Sequence, residues 1–185
     1  MFFRVRQHRI PLVEHPEAWV RILFISNVGS ADSERIERIA IEASAQNADI
    51  ALFGGGYVRG ASGAVTGLEP FASIRARLGK YFVLGGSDYL DDPASVRSFL
   101  RTLGIRDLTN TSCSIAKHGR VLELSGVDDA VRGIPTFPVE IQQPLFPRLV
   151  FSHCEIPLGA RPTELLITHT FKKNRSSIFV VELGI

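Results

Sequence analysis

Three short apolar runs in the first half of the chain each stop at glycine or at a turn-forming residue, and this recurrence is the strongest constraint on the fold. An apolar run of this length that breaks at glycine is typical of a buried strand followed by a loop. Because amphipathic segments follow the runs, the pattern predicts repeated strand, loop and helix units, with a parallel sheet and right-handed crossovers. The runs are residues 21–26, 49–53 and 81–84, and they end at Asn27 to Gly29, Gly54 to Gly56, and Gly85 with Gly86.

Three helices are predicted after these strands, because apolar residues recur there at helical spacing. Ser30 or Asp32 is expected to cap the first helix, and Asp92 the third. Gly79 and Gly104 are expected to end the second and third helices. The predicted buried faces are Ile36, Ile39, Ala40 and Ala43; Leu68, Phe71, Ile74 and Leu78; and Val96, Phe99, Leu100 and Leu103.

The second half of the chain is predicted to be mostly β, because helical signals fade after residue 110 and short strand-like segments follow. Four prolines between residues 133 and 147 predict a surface connection rather than a central strand or a helix. At 185 residues and 45% hydrophobic content, the chain is expected to form one α/β domain over residues 1–185, with an N-terminal strand or arm at 1–20. The predicted strands are residues 112–116, 121–125, 149–151, 164–168 and 178–183.

Composition and charge narrow the class of protein further. A formal net charge of +2 does not by itself indicate a polyanion-binding protein. No apolar run approaches the roughly 20 residues that a membrane-spanning helix needs, and the N-terminus lacks the apolar centre of a secretory signal. We therefore predict a cytoplasmic protein without a membrane partner. Cys113 and Cys154 form no CxxC pair, so we expect both to be reduced, packed thiols.

The residues around the three strand ends resemble those of the calcineurin-like metallophosphoesterases. Residues 22–29 resemble the family's opening strand, which normally ends in Asp-x-His, and residues 49–56 resemble the strand that ends in Gly-Asp. Residues 83–89 resemble the family's Gly-Asn-His-Asp block, and similar segments follow at 104–110 and 126–129. The resemblance implies a β-sheet sandwich flanked by helices, with the loops at the carboxyl ends of the strands converging on the site.

The same resemblance implies that most ligands of the family's two metals are missing. Asn27 and Gly29 stand where the family has its first Asp and His, and Gly56 stands in place of the bridging Asp. Gly86 and Ser87 replace the metal-binding Asn and the catalytic His. Two neighbouring divalent cations need anionic ligands to offset their mutual repulsion. The alignment therefore predicts that no catalytic residue and no binuclear metal site remain.

By this resemblance, the polar side chains that remain at the site are Asn27, Asp88, His153 and His169. Asp88 is retained, and its family role is to support the neighbouring His rather than to bind metal. His153 matches the family's Ser-His motif, and His169 matches a decayed Gly-His-Thr-His motif in which Phe171 replaces the last His. If any metal binds, His153 and His169 are the expected ligands. The preferred interpretation is structural, with the histidines hydrogen-bonded and Asp88 accepting backbone N–H groups.

The glycines at the strand ends allow two interpretations. Successive backbone amides beside helix N-termini can form a phosphate cradle, which would make the protein a sensor of small anions. Alternatively, the glycines keep tight turns that an ancestral site required, and this interpretation is preferred because no P-loop pattern follows them.

Two basic stretches are candidate anion contacts. The first contains Arg4 and Arg6, and the second contains Lys172, Lys173 and Arg175 in what looks like a hairpin loop. Phosphate contacts at these positions would place the protein in a nucleic-acid-containing assembly. Solvated surface is the usual role of such stretches, so a protein partner is the preferred expectation.

The preferred hypothesis for function is a catalytically inactive metallophosphoesterase-like protein that acts as a binding or scaffold subunit of a larger complex, without a cofactor. The comparison with non-catalytic scaffold members of the superfamily supports the class and not the partner. The alternative is a divergent phosphoesterase that hydrolyses a phosphomonoester or phosphodiester with manganese or another divalent metal. In that case His153 and His169 would bind the metal, with Asp88 and Asn27 assisting.

Overall fold

Two packed β-sheets and two helices make up the part of the chain that the computed structural model describes, which is residues 5–29, 31–58, 65, 67–90, 92–136, 148–154, 164–168 and 177–185. The helices are α1 (Ser33–Ala45) and α2 (Pro93–Thr102). The strands are β1 (Arg6–Pro11), β2 (Trp19–Ser26), β3 (Ile50–Gly54), β4 (Gly79–Val83), β5 (Arg106–Asp107), β6 (Thr111–Lys117), β7 (Arg120–Gly126), β8 (Arg148–Ser152), β9 (Glu164–Thr168) and β10 (Ser177–Gly184).

The first sheet has six strands in the order β1-β10-β2-β3-β4-β5 within the described residues. The strands β2, β3 and β4 run parallel, as the strand and helix pattern predicts. The short strand β5, which was not predicted, also runs parallel, whereas β10 pairs antiparallel to β2. The register places Phe53 beside Ile25 and Phe82. Because of this register, β2, β3 and β4 end at the same edge of the sheet.

The second sheet has the order β6-β7-β8-β9. Here β6 and β7 are antiparallel, and β8 and β9 continue the sheet in parallel. The described part of the chain after residue 110 contains strands and turns only, so the prediction of a mostly β second half is confirmed there. The class is α/β with mixed sheets.

The packing of β2 on both faces explains why its sequence is almost continuously apolar. Leu23 and Ile25 pack in a cluster with Ile39 of α1 and Leu100 of α2, whereas Phe24 packs between the two sheets. A strand that is covered on both faces needs apolar residues at successive positions rather than at alternate ones. The core therefore has two layers, one on each side of the six-stranded sheet.

Both helices begin where their caps predict. Asp32 accepts a hydrogen bond from the Arg35 N–H at 2.8 Å, and Asp92 accepts one from the Ala94 N–H at 3.0 Å. Gly104 follows α2 with φ of 71°, a conformation that glycine adopts without strain. No helix among the described residues is long and apolar enough to cross a bilayer.

The predicted second helix is wrong. The structure has only a short 3₁₀ turn at Glu69–Ser73, and Gly79 begins β4 instead of ending a helix. The buried residues Leu68, Phe71 and Ile74 are spaced by three, which matches the three residues per turn of a 3₁₀ helix. Their spacing thus suits a tight turn as well as an α-helical face, and the sequence does not separate the two.

An N-terminal strand forms at Arg6–Pro11, within the segment 1–20 for which a strand or arm was predicted. Trp19 and Val20, at the end of that segment, belong to β2 rather than to an arm. The strands β9 and β10 lie in different sheets. The predicted hairpin loop with Lys172, Lys173 and Arg175 lies outside the described part of the chain, as does Arg4.

Candidate functional site at the carboxyl ends of the parallel strands

The loops that follow β2, β3 and β4 converge, as predicted. The Asn27 N–H donates to the Gly55 carbonyl at 3.0 Å, and the Gly29 N–H donates to the Gly56 carbonyl at 2.8 Å. The Gly56 N–H in turn donates to the Asp88 carboxylate at 2.9 Å. Backbone hydrogen bonds therefore join the first two strand ends, and the Asp88 side chain joins the second to the third.

Asp88 is the centre of this arrangement. Its Oδ2 atom accepts the N–H groups of Gly56 and Gly85 at 2.9 and 2.8 Å. Its Oδ1 atom accepts those of Tyr57 and Val58 at 2.7 and 3.1 Å. Asp88 is only 1% exposed, and burial raises its pKa even though these four backbone hydrogen bonds act in the opposite direction. The prediction that Asp88 accepts backbone hydrogen bonds is confirmed.

Tyr57 completes the backbone network and was not identified from the sequence. Its hydroxyl oxygen accepts the Gly55 N–H at 3.0 Å and lies 2.7 Å from the Phe53 carbonyl and 2.9 Å from that of Val83. Burial raises the pKa of Tyr57 well above its usual value, with the Asp88 charge acting in the same direction. The phenol is therefore neutral. Its position directly after three glycines was the only sequence signal for this role.

The glycines leave no room for side chains. A Cβ atom on Gly85 would lie 2.7 Å from His153 Cγ, and one on Gly29 would lie 2.7 Å from the Tyr57 carbonyl carbon. On Gly56 a Cβ would overlap Asn27 Oδ1, and the residue also has a positive φ of 75°. Glycine is required here because backbone and side chains fill the space in which a metal ligand would lie.

The surroundings of Gly86 are less crowded than those of Gly29, Gly56 and Gly85. A Cβ on Gly86 would meet Asp129 Oδ1 at 3.4 Å and Arg132 Cδ at 3.5 Å, so this position is less tightly enclosed. Ser87 is half-buried, and its hydroxyl donates a long hydrogen bond of 3.4 Å to Asp88 Oδ1. Asp129 and Arg132 thus lie beside the site. Asp129 belongs to the family-like segment 126–129, whereas no motif indicated Arg132.

His153 follows β8 and is 6% exposed. Its Nδ1 atom lies 2.7 Å from the Gly54 carbonyl oxygen. Because a carbonyl oxygen can only accept, Nδ1 carries the proton in this contact. The expectation of a hydrogen-bonded histidine at a buried strand end is confirmed for His153, whereas His169 lies outside the described residues.

These residues do not fit a pair of divalent cations. Gly56 supplies no bridging carboxylate, both oxygens of Asp88 accept backbone N–H groups, and Nδ1 of His153 is engaged with Gly54. Over the described ranges, no group of three or more His, Cys, Asp or Glu side chains is arranged to hold a metal ion.

The amides that could bind a phosphate already have acceptors. The N–H groups of Gly56, Tyr57, Val58 and Gly85 donate to Asp88, and that of Gly55 donates to the Tyr57 hydroxyl. A concave set of backbone amides does form at this edge of the sheet, but its anion is the protein's own carboxylate.

Arg6 and the two cysteines are the other described residues that were singled out in the sequence. Arg6 is exposed on β1, the edge strand of the six-stranded sheet. Cys113 and Cys154 are free thiols, and Cys154 is buried, with its sulfur accepting the Ala130 N–H at 3.2 Å.

A scan against protein-family models finds no matching family, and a search of curated protein sequences finds no significant match.

Proposed function

We propose that this chain is a catalytically inactive metallophosphoesterase-like protein that acts as a binding or scaffold subunit in the cytoplasm. The observation that carries the proposal is the closed set of contacts around Asp88, in which both carboxylate oxygens accept backbone N–H groups. In this arrangement the carboxylate joins loops instead of facing a substrate.

The side chains at the positions of the family's metal ligands support the same conclusion. A binuclear phosphoesterase needs several carboxylate or imidazole ligands to hold two cations a few ångströms apart. At the aligned positions this chain has Asn27, Gly56 and Gly86, of which two have no side chain. Restoring a carboxylate at position 56 would require displacement of Asn27, because the space is already filled.

The structure around the strand ends also favours a role as a rigid body. Hydrogen bonds between the loops, together with two apolar layers, hold this edge of the sheet in one arrangement. A preorganised surface loses less conformational entropy when it binds a partner. A protein partner is therefore the preferred occupant, with a nucleic-acid-containing assembly as the alternative through Arg6 and the basic residues near 172–175.

Metal analysis and hydrolysis assays test this proposal. The full chain is purified in the presence of manganese, its metal content is measured, and 4-nitrophenyl phosphate and bis(4-nitrophenyl) phosphate are offered as substrates. We expect no stoichiometric manganese and no hydrolysis above that of buffer, since the ligand set is incomplete.

The matched variants are His153→Ala and His169→Ala. About one manganese per chain, together with hydrolysis that both variants abolish, would refute the proposal and establish the divergent phosphoesterase instead. Activity that survives in both variants would indicate a contaminating enzyme, and the proposal would stand.

A further inference from the structure

Two large aliphatic side chains project from one short turn. Val131 is 77% exposed and Ile134 is 79% exposed, the highest values for large hydrophobic residues in the described part of the chain. Both lie in the 128–134 turn, which follows β7 and passes beside Gly86. Single exposed aliphatic residues are common on protein surfaces, but here two lie three residues apart on one turn.

This turn is held rigidly from within. Asp129 Oδ1 accepts the N–H groups of Val131 and Arg132 at 3.0 and 2.8 Å, and Asp128 Oδ2 accepts that of Ile134 at 3.0 Å. Asp128 and Asp129 are 5% and 1% exposed, so their carboxylates are buried beneath the turn. Both residues therefore shape the turn by accepting hydrogen bonds from its backbone.

Residues outside the turn reinforce it. Asn110 donates from Nδ2 to the Ile134 carbonyl at 2.7 Å and accepts the Asp128 N–H on Oδ1 at 3.0 Å. The Tyr89 hydroxyl donates to Asp128 Oδ1. Val131 and Ile134 are therefore presented on a fixed backbone, which lowers the entropy lost when a partner orders around them.

The charge that the turn presents is positive. Arg132 is exposed between the two aliphatic residues, while the carboxylates of Asp128 and Asp129 face inward and accept hydrogen bonds from backbone N–H groups. A complementary surface needs an apolar depression to receive Val131 and Ile134 and a carboxylate at its border to pair with Arg132.

We propose that the 128–134 turn is a docking site for a protein partner that carries an apolar pocket bordered by Asp or Glu; this rests on the proposed function as a binding subunit. A second copy of the chain fits less well, because a twofold contact centred on the turn brings two Arg132 side chains together. A nucleic acid also fits less well, since aliphatic side chains offer no stacking platform.

Site-specific photo-crosslinking in the cells that produce the full chain tests the docking site. The variants Val131→p-benzoylphenylalanine and Ile134→p-benzoylphenylalanine keep the backbone N–H groups that hold the turn. Ile41→p-benzoylphenylalanine is the matched control, because Ile41 is 68% exposed on α1. We expect the same protein adduct from positions 131 and 134, none from position 41, and a crosslinked peptide in which apolar residues lie beside Asp or Glu.

A charge series sharpens the test. Combined with the crosslinker at position 131, Arg132→Glu should lower the yield of the adduct by about tenfold or more, whereas Arg132→Lys should keep most of it. Absence of a position-specific adduct, an adduct with a second copy or with nucleic acid, or an unchanged yield in Arg132→Glu would overturn the proposal. Stoichiometric manganese with hydrolysis that His153→Ala and His169→Ala abolish would refute the proposed function whatever the crosslinking shows, so the two failures are distinguishable.

Discussion

The Asp88 carboxylate accepts the N–H groups of residues 56–58, about 30 residues earlier in the chain, and the N–H group of Gly85 nearby. Unpaired buried N–H groups destabilise a fold, because they lose water without gaining another acceptor. A single side chain thus satisfies four backbone donors that glycine-rich turns leave pointing into the protein. This role of Asp88 needs no catalysis.

Replacement of this carboxylate should be costly. We expect Asp88→Ala to lower the free energy of unfolding by about 3 to 5 kcal/mol, because four buried N–H groups lose their acceptor at once. Urea denaturation at neutral pH measures the change. Asp88→Asn should cost less, since one acceptor oxygen remains.

Glu37 provides the control for this measurement. It is exposed on α1, and Glu37→Ala should change the free energy of unfolding by less than about 0.5 kcal/mol. A similarly small effect of Asp88→Ala would mean that the loops hold together without the carboxylate, and the central argument for the proposed function would be lost.

Among the elements, the helices with explicit start signals were predicted correctly. Asp32 before α1 and Asp92 before α2 both cap their helices through backbone N–H groups. The segment around Phe71 lacks such a cap hydrogen bond and forms only a 3₁₀ turn. Apolar spacing alone was therefore insufficient, because spacings of three occur in both kinds of helix.

The cap of α1 offers a test at this scale. We expect Asp32→Ala to lower the free energy of unfolding by about 1 kcal/mol, because the Arg35 N–H loses its acceptor at the first turn. Asp32→Asn should retain most of the stability, since asparagine is also a favourable cap. Chemical denaturation measures the free energy of unfolding of the two variants. An equal decrease in both would show that the negative charge of Asp32, rather than its hydrogen bond, stabilises the helix.

At the scale of the whole molecule, one buried carboxylate helps to connect the two sheets. Asp49, which precedes β3, is 2% exposed and pairs with Lys117 at the end of β6 and with Arg77 at 2.8 Å. Its Oδ2 atom also accepts the Arg21 N–H at 2.8 Å. Burial opposes ionisation of Asp49, but the hydrogen bond from Arg21 and the contacts with Lys117 and Arg77 lower its pKa below the usual value.

Removal of this charge should weaken the packing of the sheets. We expect Asp49→Asn to lower the free energy of unfolding by roughly 3 kcal/mol, because Lys117 and Arg77 lose their shared carboxylate. Glu34→Gln is the control, since Glu34 pairs with Arg38 at 3.5 Å on the exposed face of α1 and should contribute at most about 0.5 kcal/mol.

The lowered pKa of Asp49 also predicts a pH dependence. Below about pH 4 the unfolded chain takes up a proton that folded Asp49 resists. The stabilisation is therefore present above that pH and is lost as the pH falls through the folded pKa. Thermal unfolding from pH 6 to pH 2.5 should show a steeper loss in the wild type than in Asp49→Asn, and parallel curves would contradict this assignment.

The arrangement of the sheets shows what local sequence patterns miss at this scale. β9 and β10 are neighbouring strands in the chain with a basic segment between them, yet they belong to different sheets. Apolar alternation predicts that a segment is a strand, but it does not specify which strand it pairs with. Which sheet β9 and β10 each join is therefore set by the tertiary structure.

The sequence by itself determined the positions of most strands, the caps of both helices and the identity of the residues at the strand ends. These features are local, because apolar runs, capping side chains and glycine act on their immediate neighbours. Only the tertiary structure decided that the amides of the glycine loops donate to Asp88, that Asp49 joins the two sheets, and that Val131 and Ile134 face solvent. Those outcomes depend on contacts between residues far apart in the chain, which periodicity within a segment does not encode.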